Sequence, residues 1–351
     1  MLEVPIGAPS QLRKKIRLAA ARLLCTAAGK RRYTAGAAWL SILLLPAVLK
    51  GARSNPKNTI QLTPEELRYY ETARPVTTWS PRQLLHADLG LKGLKFADSQ
   101  ADLPAILAKT GETVQALFRD FTNTESVETI AETRINPVTG QTGFGPSVEQ
   151  KFHYLFLTTA DAASAGLDEY RTDSKGQPVE ADHLLPGAAF MTEGFASLPA
   201  LFLPERQPES TFRYLGEQKM NKQQTLVVAF AQRPRAARTV GTFNSGRESV
   251  VLLIQGIAWI ALPEDQIVRM RTDLLAPRAD IGLEQETTDI RFKDVRFKQN
   301  HSALWLPVDV VVTIGWQGSV FQNHHHYTDF KLFQVTTANQ AAKQTKRRKK
   351  P

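Results

Sequence analysis

The stretch from Ser249 to Leu275, SVVLLIQGIAWIALPEDQIVRMRTDLL, predicts two β-strands joined by a tight polar turn. Apolar side chains occupy both alternating positions from Val250 to Leu262, so both faces of the first strand must be covered, by a packed layer or by a ligand. After the turn at Pro263–Asp265, polar and apolar residues alternate, which indicates that the return strand faces water on one side. The sequence therefore predicts a β-rich domain with apolar surface to cover, without disclosing a specific activity.

One face of the first strand is the best candidate for a binding surface, because Trp259 shares its parity with smaller apolar residues. The segment from Leu184 to Pro204 is apolar but broken by glycine and proline, which favours a short helix or a mobile flap over the sheet. An apolar ligand site is predicted at Val251, Leu253, Ile257, Trp259, Phe190 and Phe195. The alternative is that Trp259 is wholly packed core, the commoner role of a buried tryptophan.

Composition indicates a folded soluble body, with 42% hydrophobic and 22% charged residues in 351. The net charge of +10 is concentrated at the ends, since residues 1–32 carry +7 and Lys343–Lys350 carry +6. Residues 33–342 are left at −3, so no nucleic-acid groove is predicted in the folded body. Cys25 is the single cysteine, which excludes an intrachain disulfide.

The uncharged run Tyr33–Leu49 follows a basic leader, a pattern typical of an export signal. Residues 1–54 are therefore predicted to be an export signal or an N-terminal membrane anchor, and an internal helix is the alternative. This interpretation predicts a protein of the periplasm or cell envelope, with membrane contact through this segment. The basic stretch 337–351 is predicted to be a disordered tail.

Between these ends, residues 55–100 are predicted to be a linker with one short helix, and residues 101–336 the β domain. Thr63, Pro64 and Glu66 predict a helix start with a capping box. Leu103–Phe121 gathers its apolar residues toward one side, which predicts an amphipathic helix that packs on the sheet.

Short polar connections between strand-like runs favour antiparallel neighbours. In the repeat DIRFKDVRFK the apolar residues change parity, so a bulge is expected near Lys293–Asp294. A final hairpin turns at Gln317–Gly318. The remaining predicted strands are Ser126–Ile135, Lys151–Thr159, Leu167–Thr172, Ser210–Gly216, Gln224–Gln232, Leu283–Phe297, Ala303–Trp316 and Ser319–Thr336.

The module GIAWIALPEDQIVRMRTDL, followed by TDFKLF, resembles the LolA/LolB-like lipoprotein-localisation half-barrels, and the body also resembles uncharacterised exported bacterial proteins. The matching positions are Gly256, Trp259, Ile260 and Arg269, and the resemblance covers at most residues 100–335. It implies an α+β fold: a curved, mostly antiparallel half-barrel sheet of nine to eleven strands, with one or two helices on the concave side enclosing an apolar cavity. The function that it implies is an envelope binding module for a lipid, an acyl chain or an apolar peptide.

The run of three histidines offers a different class of function, a metal-assisted envelope enzyme. His324 and His326 share a strand face at a spacing that can hold one metal ion, but the sequence does not place a third ligand, for which His301 and His153 are the candidates. The alternative is a solvated strand edge. The sequence contains no G-x-S-x-G nucleophile motif, P-loop or dinucleotide fingerprint. No cofactor is therefore predicted, and a binding module or a purely protein-interaction module is favoured over an enzyme.

Overall fold

A computed structural model describes residues 40–43, 62–143, 147–158, 167–179, 188–238, 241–244, 249–297 and 300–332. Three α-helices lie in this part of the chain: α1 (Pro64–Glu71), α2 (Pro81–Ala87) and α3 (Leu103–Arg119). The strands are β1 (Leu40–Leu43), β2 (Lys95–Phe96), β3 (Thr124–Ile135), β4 (Val148–Thr158), β5 (Leu167–Thr172), β6 (Phe190–Glu193), β7 (Ser210–Met220), β8 (Gln223–Gln232), β9 (Gly241–Asn244), β10 (Ser249–Leu252), β11 (Ile254–Ala261), β12 (Gln266–Leu274), β13 (Leu283–Phe297), β14 (Asn300–Trp316) and β15 (Ser319–Leu332).

Eleven strands form one antiparallel main sheet in the order β2-β7-β8-β11-β12-β13-β14-β15-β3-β4-β5. Four others form a small sheet in the order β10-β9-β1-β6, in which β1 and β6 run parallel. Within the described residues the main sheet does not close on itself, because β2 and β5 remain its two edges. The predicted fold class is confirmed: an α+β fold built on a large, open, mostly antiparallel sheet with few helices.

The helix starts follow local sequence rules. Thr63 Oγ1 accepts a hydrogen bond from the Glu66 N–H at 3.2 Å, and the Glu66 carboxylate accepts one from the Thr63 N–H at 2.9 Å, so the predicted capping box is present. α3 begins at the predicted Leu103 and ends two residues before Phe121. Its buried side chains include Ile106, Val114 and Phe118, in agreement with the predicted apolar face.

We call the face of the main sheet that carries Ile290 and Val310 the inner face, and the opposite one the outer face. Three elements cover the inner face: α3, the small sheet and residues 188–203. We call residues 188–203 the cover. The cover comprises β6, which is also a strand of the small sheet, and a 3-10 helix, Phe195–Phe202. Helix and cover approach closely at Gly111, where a Cβ atom would lie 3.0 Å from the Phe202 carbonyl oxygen. Glycine in the middle of α3 is therefore explained by this contact, which offsets its cost in helical stability.

Residues 62–96 pack on the outer face, although the sequence favoured a linker there. Leu84 and Leu91 are fully buried against Ile257 and Trp259, and β2 extends the edge of the main sheet. This layer escaped prediction because its short helices and turns are too brief to show a sustained hydrophobic period. The domain boundaries at residues 54, 100 and 336 stay predictions.

The central stretch differs from its prediction in one respect. Val250–Leu262 is not one strand, because the chain leaves the small sheet at the end of β10 and enters the main sheet at β11, with Leu253 between them. The polar turn is present, and Asp265 takes a positive φ of 53° there. One continuous apolar run of the sequence thus supplies a strand to each of the two sheets.

The irregularity expected near Lys293–Asp294 is present, next to Lys293. β13 shifts its register against β14 between Arg291 and Phe292 and again between Arg296 and Phe297. These two irregularities bury both Phe292 and Phe297, which a regular strand would place on opposite faces.

Only Leu40–Leu43 of the predicted export segment is described, and these residues pair as β1 with β6 and β9. The rest of that segment and the predicted tail 337–351 lie outside the described residues. No helix in the part of the chain that the structure describes is long and apolar enough to cross a membrane.

Candidate functional site

The six residues predicted to line a ligand site do not meet on one surface. Ile257 and Trp259 are buried on the outer face beneath α2, while Val251 and Leu253 pack around Tyr70 of α1. Phe190 and Phe195 belong instead to the cover on the inner face, where their rings contact Phe321 and His325 at centroid distances of 6.2 and 5.1 Å. Strand alternation places the first four residues on one side, but it does not determine which layer covers that side.

Trp259 is 0% exposed, and its polar contacts fix it in the outer layer. Its indole N–H donates to the Gln218 side chain at 2.8 Å, and Gln218 in turn donates to the Gly90 carbonyl at 2.8 Å. The guanidinium carbon of Arg269 lies 4.1 Å from the indole ring centroid, a cation–π contact. These contacts tie the main sheet to residues 88–92 and surround the ring with protein atoms.

Trp259→Phe should lower the free energy of unfolding by about 1–3 kcal/mol, because Gln218 keeps a buried oxygen without its donor. Urea denaturation checks this value. Binding of an acyl-chain probe should be the same for variant and wild type, since the ring lies on the outer face. If the variant had normal stability but altered probe binding, Trp259 would have to be part of the ligand site.

The inner face holds a buried ionic network centred on Arg171 of β5, which we call the Arg171 network. Arg171 donates to both carboxylate oxygens of Glu128 on β3, with Nη2 to Oε1 at 2.8 Å, and both side chains are fully buried. The same Oε1 accepts from the Tyr327 hydroxyl at 2.8 Å and lies 2.9 Å from His325 Nδ1. Tyr154 adds its ring, whose centroid lies 4.8 Å from the Arg171 guanidinium carbon.

The protonation states in this network follow from burial and charge. Burial alone would raise the pKa of Glu128, but the charge and hydrogen bonds of Arg171 outweigh it and lower that pKa to about 2. Burial lowers the pKa of His325, so its ring is neutral at pH 7. Because ionised Glu128 can only accept, Nδ1 of His325 carries the proton and Nε2 is left to accept from Thr192 Oγ1 at 3.1 Å.

The inner face holds the cover through side chains that bind its backbone. Arg171 Nη2 donates to the Thr192 carbonyl at 2.6 Å, and Asn323 donates to the Phe190 carbonyl at 3.1 Å. The Glu132 carboxylate accepts from the Ala189 N–H at 2.8 Å, and Glu169 accepts from the Ser197 N–H at 3.2 Å. Among the described strands β6 pairs with β1 of the small sheet and not with the main sheet, so these bonds replace a backbone ladder between cover and main sheet.

His324 and His326 lie on the outer face, each about half exposed, and both approach Asp309 Oδ1, at 3.5 and 2.9 Å. Within the described ranges no three His, Cys, Asp or Glu side chains are grouped so as to hold a metal ion. The middle histidine, His325, is the buried one, because strand alternation turns it to the inner face with Tyr327.

Glu128, Arg171 and Glu169 were not predicted from the sequence as site residues. Their strands carry a signal in hindsight: in TESVETIAE, Ser126, Glu128 and Glu132 share the parity of the apolar Ile130. Polar residues that share a strand face with apolar residues indicate either a face exposed to water or a buried polar network. The periodicity of the sequence does not distinguish these two possibilities.

The structure is an open antiparallel sheet. A segment held by buried side chains covers the inner face of this sheet.

The chain resembles solved structures of the LolA superfamily and related proteins. A LolA superfamily protein from Nitrosomonas europaea has a TM-score of 0.30 and 10% identity, over 66% of this chain and 94% of that one. A DUF1329 family protein from Desulfovibrio piger has a TM-score of 0.35 and 9% identity, over 67% and 94%. The lipoprotein LppX from Mycobacterium tuberculosis has a TM-score of 0.23 and 12% identity, over 66% and 99%. No protein-family model matches the sequence, and no curated protein is significantly similar to it.

Proposed function

We propose that this chain is an envelope-associated binding module that holds a lipid, an acyl chain or an apolar peptide on the inner face of its main sheet. The observation that carries the proposal is the attachment of the cover. Its apolar side chains fill the inner face, yet its backbone is attached to the main sheet by side chains rather than by a strand ladder. A segment attached in this way can leave without breaking a strand ladder of the main sheet, although β6 would have to move with β1 or separate from it. An apolar ligand can then take its place.

The surface beneath the cover suits such a ligand. The inner face is lined by aliphatic and aromatic side chains of nine main-sheet strands, and residues of the 3-10 helix pack on these side chains. A 3-10 helix has poorer hydrogen-bond geometry than an α-helix, which lowers the cost of rearranging it. The envelope location rests on the basic leader and the apolar run 33–49, which are typical of an exported protein.

Ser197→Ala tests the displaceable cover. The one proton of the Ser197 hydroxyl is shared between Glu169 Oε1 and the Leu167 carbonyl, at 3.1 and 3.2 Å, and its loss weakens attachment of the cover by about 1 kcal/mol. Because a ligand must displace the cover, affinity for a dansyl-labelled undecanoate probe should rise about fivefold. Fluorescence titration of the folded protein gives the affinity.

Thr225→Val is the matched control, since it removes one buried hydroxyl bond, to the Gln218 carbonyl at 2.7 Å, on the outer face. It should lose a similar amount of stability without a change in probe affinity. If Ser197→Ala behaves like this control, the cover is ordinary core. If the wild-type protein binds no apolar probe at all, the proposed function is wrong.

A further inference from the structure

One part of the inner face contains buried oxygen atoms without partners. Oε2 of Glu286 and Oγ1 of Thr288, both on β13, have no hydrogen-bond partner among the described residues. The exposed fractions of these residues are 4% and 0%. An unpaired buried polar group costs about 1–3 kcal/mol, so two of them side by side on one strand face call for an explanation.

The neighbours of Glu286 and Thr288 are mainly apolar. Glu286, Thr288 and Ile290 are alternate buried positions of β13, so all three lie on the inner face. Glu286 and Thr288 are two residues apart along the strand, which separates their Cα atoms by roughly 7 Å. Glu286 pairs with Ile314 and Thr288 with Val312 on β14, while Thr272 lies beside Thr288 on β12. A short polar strip thus lies between apolar rows, the arrangement that matches a molecule with a small polar group and a long apolar chain.

Among the described residues, no positive side chain acts on the Glu286 carboxyl in a way that would favour an anion. Burial, with a smaller effect from Asp273, raises the pKa of Glu286 to about 8, so its carboxyl is neutral at pH 7. A neutral carboxyl donates a hydrogen bond through its O–H and accepts one through its carbonyl. The Thr288 hydroxyl likewise donates and accepts. Hydroxyl and ester oxygens can satisfy both groups, whereas a carboxylate or phosphate would be buried here without a cation.

We infer that Glu286 and Thr288 bind the uncharged polar group of an amphiphile, one that carries hydroxyl or ester oxygens, while its acyl chain lies on the neighbouring apolar rows. The inference rests on the proposed function, because it places the ligand on the same inner face. It adds a selectivity that an apolar surface by itself would not give: neutral head groups are preferred over anionic ones.

The test compares 1-monooleoylglycerol with oleate, which share one acyl chain and differ in the charge of the head group. Wild-type protein at pH 7 should bind the monoacylglycerol at least about tenfold more tightly, since only its head group pairs with Glu286. Glu286→Leu should weaken monoacylglycerol binding about tenfold and leave oleate binding unchanged. Glu286→Gln, which keeps both a donor and an acceptor, should stay within about threefold of the wild type.

The outcomes separate the two proposals. If wild type binds both compounds and Glu286→Leu changes neither affinity, the head-group site is wrong while the binding function stands. If oleate binds as tightly as the monoacylglycerol, the neutral selectivity is wrong. If wild type binds neither compound nor any other apolar probe, both proposals fail. Should Glu286→Leu not fold, loss of the tenfold preference in Thr288→Val decides instead, because that variant removes the second partner without changing charge.

Discussion

Arg171→Met should lower the free energy of unfolding by about 3–5 kcal/mol. The variant leaves the fully buried Glu128 carboxyl without its cation, and breaking a buried ion pair from one side costs about this much. Urea denaturation followed by circular dichroism gives the difference. The matched control is Arg296→Met, because Arg296 pairs with Asp294 on the surface and should contribute less than about 1 kcal/mol.

The double variant Arg171→Met/Glu128→Leu separates the charge effect from packing. It removes the uncompensated carboxylate, so it should regain part of the stability that the single variant loses. Recovery should be incomplete, since His325 and Tyr327 lose their acceptor as well. A loss below about 1 kcal/mol in the single variant would show that Glu128 finds another partner or water in the folded protein.

The Arg171 network also sets a pH dependence. The pKa of Glu128 is lowered to about 2 in the folded protein, so its contribution to stability is present above its unfolded pKa of 4.5 and is lost as the pH falls toward 2. In Arg171→Met this loss at acid pH should be smaller, because the cation that lowers the pKa is gone.

The second large effect is expected at Glu286 and has the opposite sign. Its pKa is raised to about 8 in the folded protein against 4.5 in the unfolded chain, so the folded state holds one more proton between these values. Wild-type stability should therefore fall as the pH rises through this window. Relative to wild type, Glu286→Gln should gain up to about 1.4 kcal/mol per pH unit, because glutamine does not ionise.

Unfolding free energies of both proteins from about pH 5 to about pH 8 give this slope, and taking their difference cancels the titration of His325. Thr288→Val is the control, since it changes the same part of the inner face without removing a titratable group, and its difference from wild type should not vary with pH. A flat difference for Glu286→Gln would mean that water or an ion solvates the carboxylate in the folded state.

Much of the fold could be predicted from local sequence. The capping box of α1, the start of α3 at Leu103, the strand Leu167–Thr172 and the turn at Gln317–Gly318 all depend on residues within a few positions of each other. Such features are fixed by side-chain chemistry and by the periods of helix and strand. The candidate site could not be predicted in the same way, because Glu128 and Arg171 are 43 residues apart and Glu128 and His325 are 197 apart.

The sequence by itself determined that the stretch from Val250 to Leu262 has to be covered on both faces, since both parities are apolar. Only the tertiary structure decided what covers them: residues 62–96 lie over Trp259 on the outer face, and α3 and the cover lie over Ile260 on the inner face. Alternation along a strand defines two faces but carries no information about which distant segment packs on each. That choice depends on strand order, and the pairing of β15 with β3 is what brings His325, Glu128 and the cover together.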